Sequence, residues 1–150
     1  MFTLTNNLRW TFFLKKISND TNCQIYIEPG EAVVLDSGIL IGEVIDYFKP
    51  NNEYSPNIAI TDISATSHIP DVIEAPYRPA LLNEPNEGYK VVLGGPSCLA
   101  GDVIGKYNFS NHPKIGERIA LLDQAHYTMV KTSFFNGVKL PSIAIWNSET

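Results

Sequence analysis

The stretch from Gly94 to Asp102, "GGPSCLAGD", sets one of the chain's two cysteines and an aspartate among very small residues. Small side chains let backbone pass close to a neighbour, and glycine adopts dihedrals that other residues avoid. Taken alone, the stretch reads as a tight loop between two strands. It is one of five stretches that concentrate polar residues in apolar surroundings. The others are "EPGE" with Glu28, Gly30 and Glu31, "TDISATSHIPD" with Asp62 and His68, "PYRP" with Arg78, and "AHYTMVKTSFFNG" with His126 and Tyr127. Carboxylate, imidazole, thiol and phenol are the groups that transfer protons, and paired carboxylates or a guanidinium recognise the opposite charge. Read singly, each residue also has an ordinary place. Glu28 ends a strand in water, Asp62 is a turn residue, Arg78 a surface charge, Tyr127 a helix residue with a wet hydroxyl, and the histidines are satisfied or exposed.

The bulk properties narrow the chemistry. The 150 residues are about one domain's length, 44% hydrophobic and 18% charged, which favours a globular fold over disorder or a membrane span. Net charge is -5 with no basic cluster, so a nucleic-acid partner is not expected. Cys23 and Cys98 form neither metal-ligand spacing nor a disulfide framework. No metal site is expected, and a reducing cytoplasm is the simplest home for two free thiols. The start, "MFTLTNNLRWTFFLKKIS", lacks a basic region ahead of its apolar residues and is interrupted by Arg9, so it is not read as a signal peptide. No apolar run reaches membrane-spanning length.

The elements that must position these residues follow from periodicity. Trp10, Phe13, Leu14 and Ile17 make one apolar stripe, predicting a helix over 6–17. "SNDTN" breaks it, and Cys23, Ile25 and Ile27 alternate with polar positions in a short predicted strand that runs into "EPGE". "AVVLDSGILIGEVIDYF" is a long β run with Gly38 and Gly42 as expected bend points. "IAITDIS", "YKVVLGG", "ERIALLD" and "SIAIWN" are four further predicted strands. "IPDVIEAPYRPALL" carries three prolines and should follow an irregular or edge path. "AHYTMVKTSFFNG" reads as a short helix closed by glycine. The cues are α/β to about residue 30 and mainly β beyond, a barrel or sandwich. This looks like the seam of a two-domain protein viewed from its downstream side.

Taken together and in order, "YIEPGE", "TDISATSHIPDVIEAPYRP", "GGPSCLAGD" and "AHYTMVKTSFFNG" resemble the C-terminal part of the pyridoxal-phosphate decarboxylases of the alanine-racemase-like fold. That family includes ornithine, arginine and diaminopimelate decarboxylases. "EPGE", "SATSHIPDVIEAPYRP", "CLAGDVIG" and "AHYTMVKTSFFNG" are most similar to its carboxynorspermidine branch. The resemblance implies a mainly β chain: residues 1–30 as the last helix and strand of an α/β barrel, and 31–150 as the family's β-barrel domain. It implies pyridoxal 5'-phosphate as cofactor, with Glu28 facing the pyridine nitrogen, Gly30 offering backbone N–H near the phosphate, and Tyr127 bonding the phosphate. Glu31 stands where the ornithine-type enzymes carry a phosphate-pairing arginine. A second carboxylate there would repel phosphate and attract an amine, so Glu31 is assigned to the substrate. Asp62 matches an aspartate that contacts a distal amine, and Arg78 resembles an arginine used for a substrate carboxylate in the diaminopimelate branch. In this family the "GPxC" loop crosses a dimer interface into the partner's site. That makes Cys98 the proton donor to the decarboxylated carbon, with Asp102 holding the substrate amine. Leu99 replaces the aspartate that follows the cysteine in ornithine-type enzymes, and His68 and His126 receive no role.

The resemblance also implies something absent. The family binds its cofactor covalently to a lysine near the start of an eight-stranded barrel, which takes about 250 residues by itself. None of the lysines here has that strand context. The expected function is decarboxylation of a carboxynorspermidine-type substrate in polyamine biosynthesis, with this chain as a C-terminal portion inactive alone, a homodimer or a partner of a full-length decarboxylase subunit. The alternatives are a non-catalytic dimerisation module or gene remnant, and a decarboxylase of diaminopimelate or another basic amino acid.

Overall fold

The computed structural model describes residues 4–147 apart from 53 and 76. In chain order the elements are α1 (Leu4–Thr21), α2 (Glu31–Val34), β1 (Ile39–Phe48), β2 (Asn57–Thr61), α3 (Ala65–His68), α4 (Asp71–Glu74), β3 (Tyr89–Gly94), β4 (Val103–Phe109), β5 (Arg118–Leu122) and α5 (Tyr127–Val130). A single 3-10 turn covers Phe135–Gly137. The five strands form one sheet in the order β4-β3-β2-β1-β5. Only the β2–β3 pair is parallel; the other three pairs are antiparallel. The fold is therefore built on one sheet, mainly β as expected, with the helix α1 and several one-turn helices beside it. None of the described helices is long and apolar enough to cross a membrane.

The core is one cluster in which β1 contributes Val44, β2 Ala59, β3 Val91 and Leu93, β4 Ile104, Tyr107 and Phe109, and β5 Ile119 and Leu121. Ile63, Ala65 and Ile69 seal it from the segment after β2. Two bulges set which side chains face inward. Ile45 is the extra residue between Val44↔Thr61 and Asp46↔Ile60. Ile104 is the extra residue between Leu93↔Gly105 and Gly94↔Val103. An extra residue flips the alternation of the strand that carries it, which is why Ile104 and Tyr107, three apart, are both buried.

Several expectations change. Residues 23–28 run without a ladder partner among the described strands, and Tyr26 and Ile27 are exposed. Alternation marks a segment that suits a strand, but pairing needs a neighbour, and none lies beside it. Residues 32–34, read as the start of the long β run, belong instead to the helical turn Glu31–Val34, in which Val33 N–H donates to Gly30 O at 3.1 Å. Gly42 is not a bend: it lies inside β1, where a Cβ would sit 2.6 Å from Asp62 Oδ1, and the irregularity falls at Ile45. β4 is not among the predicted strands because its bulge breaks the period of two. "SIAIWN" forms no strand, and Ile143, Ile145 and Trp146 are all exposed. The helix at 6–17 is longer than predicted, and its Trp10 and Phe13 stay exposed with rings 6.2 Å apart, edge to face. The proline-rich segment is irregular, as expected, and its one isolated β-bridge among the described residues is Leu81↔Leu121.

Candidate active-site elements

The β3–β4 loop is built around Asp102. Its carboxylate is buried, and it accepts from Ser64 Oγ at 3.0 Å on both oxygens, from Thr66 N–H at 3.2 Å and from Ser97 N–H at 3.0 Å. Ser64 also caps α3 by accepting from Ser67 N–H at 3.1 Å, so one hydroxyl joins the helix start to the loop. Gly95 explains the small residues. A Cβ there would lie 2.6 Å from Ser64 Cα and 2.7 Å from Asp102 Cγ. The loop can press onto α3 only without a side chain at that point. Cys98 then sits at φ +63°, a left-handed conformation uncommon outside glycine, and its thiol is free and exposed. The backbone turns the cysteine outward while Asp102 anchors the loop from below. Both Asp102 oxygens are thus engaged within the fold, in contrast to the open amine ligand expected from the sequence.

A second contact brings in the C-terminal segment. Asn136, at φ +53°, donates from Nδ2 to Ser97 O at 2.7 Å. His68 is buried; its Nδ1 accepts from Ser64 N–H at 3.0 Å, so Nε2 carries the proton and donates to Lys139 O at 2.8 Å. That assignment follows from the donor at Nδ1. His68 thereby clamps α3 to residue 139. Between these segments and β1 lies a cleft of about 670 Å³, lined by Asp62, His68, Pro96 and Asn136 with the apolar side chains of Ile41 and Ile45. Asp62 is exposed in it. Its Oδ1 accepts from Glu43 N–H at 2.7 Å, which orients the carboxylate and leaves Oδ2 outside that bond.

"EPGE" and "AHY" meet on the other side of Gly38. Gly38 packs against Ala125, where a Cβ would come within 3.1 Å of Ala125 Cα. This brings α2 beside α5. His126 Nε2 lies 3.6 Å from Glu31 Oε1 and 3.7 Å from Asp123 Oδ2. Those are charge-pairing distances, too long for hydrogen bonds, and neither ring nitrogen of His126 has a hydrogen-bond partner. Tyr127 is half exposed, Gly30 has nothing within 4 Å of where a Cβ would be, and Glu28 lies on the exposed extended segment. Nearby, Tyr77 Oη accepts from Gln124 Nε2 at 3.2 Å, and burial raises the phenol's pKa, opposed by that bond.

Arg78 is in neither group. Its Nε donates to Lys106 O at 2.7 Å, its guanidinium pairs with Glu84, and it stacks 4.0 Å from the Tyr107 ring centroid. Tyr107 in turn donates its hydroxyl to Pro79 O at 2.9 Å. The arginine thus ties the proline-rich segment to β4. Sequence reasoning misses Ser64, Ser97, Asp123 and Asn136. Ser64 alone carries a signal, as the N-cap residue of "SATSH"; the others become recognisable only through long-range contacts.

Comparison with known proteins gives this geometry a family. Residues 17–125 match the C-terminal sheet domain of the pyridoxal-dependent decarboxylases. A carboxynorspermidine/carboxyspermidine decarboxylase of Campylobacter jejuni is 40% identical over 146 residues, covering 87% of this chain and 37% of the relative. A carboxyaminopropylagmatine decarboxylase of Synechocystis is 42% identical over 123 residues, covering 80% and 31%. The crystal structure of the carboxynorspermidine decarboxylase of Campylobacter jejuni, complexed with norspermidine, superimposes with a TM-score of 0.69 at 39% identity, covering 85% of this chain and 37% of that one. This chain therefore spans little more than a third of the length of such relatives. With the matched sheet domain covering most of it, the chain belongs to the pyridoxal-phosphate-dependent decarboxylase family, as the C-terminal sheet domain of that family.

Proposed function

We propose that the chain is the C-terminal portion of a decarboxylase acting on carboxylated polyamines of the carboxynorspermidine and carboxyspermidine type. In this reading residues 1–30 close an α/β barrel and 31–150 are the sheet domain. The observation that carries it is the Cys98 loop. An exposed thiol is held in a left-handed turn by a buried carboxylate, beside a cleft that contains the carboxylate of Asp62. A thiol presented this way can donate a proton to a carbon reacting outside the loop. Asp62 and Glu31 supply negative charge for a substrate with several ammonium groups. Asp102 enters as a positioning residue, since its oxygens brace the loop, and Arg78 as a brace for the proline-rich segment.

Pyridoxal phosphate is the cofactor that the family implies, and the donor set fits it chemically. Glu28 offers an exposed carboxylate suited to a pyridine N–H. Gly30 offers backbone with open space beside it, and Tyr127 offers a half-exposed hydroxyl suited to phosphate. When bound, the cofactor's ring takes up the electron pair left by departing carbon dioxide. Glu28, Gly30 and Tyr127 would hold its two ends, and Cys98 Sγ would return a proton in the partner's site, which its loop enters in this reading.

A chimera tests the reading: the barrel portion of the Campylobacter jejuni relative joined to this chain's sheet domain. It should release carbon dioxide from carboxynorspermidine in preference to diaminopimelate, whereas this chain by itself releases none. Cys98→Ala in the chimera should slow turnover about 100-fold or more. Preference for diaminopimelate would overturn the substrate assignment, and unchanged turnover in the cysteine variant would overturn its role.

A further inference from the structure

We propose that Asn136 is a positioning residue: with Cys98 as the proton donor, the reading on which this rests, the Asn136 side-chain amide fixes the backbone from which the thiol projects. Cys98 stands at φ +63°, and that angle is measured from the peptide group that joins it to Ser97. Ser97 is fully buried, and both of its backbone groups are engaged. Its N–H donates to Asp102 Oδ2 at 3.0 Å, which secures the peptide ahead of Ser97. Its carbonyl accepts from Asn136 Nδ2 at 2.7 Å, which secures the peptide ahead of Cys98. A side chain at positive φ crowds the backbone, so such a turn persists only where its surroundings hold it. Turning that peptide over would carry φ to the negative side, and the Asn136 bond opposes the turn.

Asn136 is itself held in place. It lies at φ +53° and Gly137 at φ +76°, two left-handed residues in succession that turn the chain beside the Cys98 loop. Both sides of this turn are fastened to α3. Ser133 N–H donates to Ser67 O at 3.0 Å before it, and Lys139 O accepts from His68 Nε2 at 2.8 Å after it. The same helix holds the loop, through Ser64 Oγ and Thr66 N–H on the Asp102 carboxylate. One helical turn therefore sets the distance that the amide spans. The residue type fits the task. Glycine, asparagine and aspartate enter the left-handed region readily, and of these only asparagine carries a side-chain N–H to give.

Asn136→Asp tests the role, because it keeps the side chain's shape and its tolerance of left-handed backbone and removes the donor. In the chain itself, NMR reads the one-bond Cα–Hα coupling of Cys98, whose size separates positive from negative φ. The coupling should move from the positive-φ value in the parent to the negative-φ value in the variant. In the chimera, Asn136→Asp should lower kcat about 10-fold or more and leave KM within about 2-fold of the parent. A thiol that is aimed serves proton transfer and not binding, so the two constants separate. Where far-UV circular dichroism shows the aspartate variant unfolded, Asn136→Gly carries the same expectations, since it also lacks the donor and accepts the backbone. A parent-like coupling at Cys98, a parent-like kcat, or a KM that rises as far as kcat falls overturns the positioning role. If Cys98→Ala leaves turnover unchanged, the proton-donor reading fails instead, while the coupling still reports whether Asn136 holds the loop.

Discussion

Asp102 meets a hydroxyl and two backbone N–H groups at once, so removing it leaves two buried donors and one part-buried donor unsatisfied. Asp102→Ala should destabilise the chain by about 2–4 kcal/mol, read as a shift in the midpoint of urea unfolding. A midpoint within error of the parent would show that the loop is held by other means. Tyr107 makes a pH prediction. Burial is the main cause that raises its phenol well above the ordinary value of 10.0, and its hydroxyl donates to Pro79. A folded pKa above the unfolded one means a protonated phenol favoured by the fold. Its contribution is therefore complete below about pH 10 and is lost as pH rises beyond. Unfolding free energy should fall above pH 10, with a shallower fall in Tyr107→Phe; identical slopes would remove Tyr107 as the cause. At this scale the sequence marked Cys98, Asp62 and Tyr127 as notable types in notable places. It did not distinguish Asp102 as a brace from Asp62 as an exposed group, because that depends on which donors surround each carboxylate.

Among the elements, the β3–β4 connection depends on what glycine permits. A Cβ at Gly95 meets Ser64 Cα and the Asp102 carboxyl, whereas at Gly101 it meets nothing within 4 Å. Gly95→Ala should cost about 1–3 kcal/mol by overpacking, while Gly101→Ala should stay within about 0.5 kcal/mol of the parent. Equal effects in thermal unfolding would show that the loop yields at Gly95. In a chimera, Gly95→Ala should also lower turnover, since the thiol's direction follows from how closely the loop sits on α3. β2, β3 and β5 were legible in the sequence, and β1 lay within a longer apolar run read as β. β4 was not, because "VIGKYNF" contains a bulge that puts Ile104 and Tyr107 on one face. A bulge is a property of two strands paired together, and one strand's sequence does not display it.

For the molecule as a whole, the described core lies on one sheet, while α1 and the 143–146 stretch expose Trp10, Phe13, Ile143, Ile145 and Trp146. These apolar groups fit the proposal that a barrel portion covers them in the working enzyme, which the chimera supplies and the separate chain does not. The site elements divide in the same way. The cleft beside the Cys98 loop gathers Asp62, His68 and Asn136, while Gly38 seats Glu31 beside His126.

The sequence by itself determined the mainly β class, the family resemblance and the positions of Glu28, Glu31, Asp62, Cys98 and Tyr127 within recurring motifs. Motif identity and alternation are local and survive in a string of residues. Tertiary structure alone decided that Asp102 is buried and bonded, that Arg78 stacks on Tyr107, and that His126 lies at charge-pairing distance from two carboxylates. Those outcomes depend on atoms far apart in the chain: Asp102 with Ser64, Arg78 with Lys106, Glu31 with His126. A side chain's role is set by the dielectric and the donors around it, and only the folded chain assembles those surroundings.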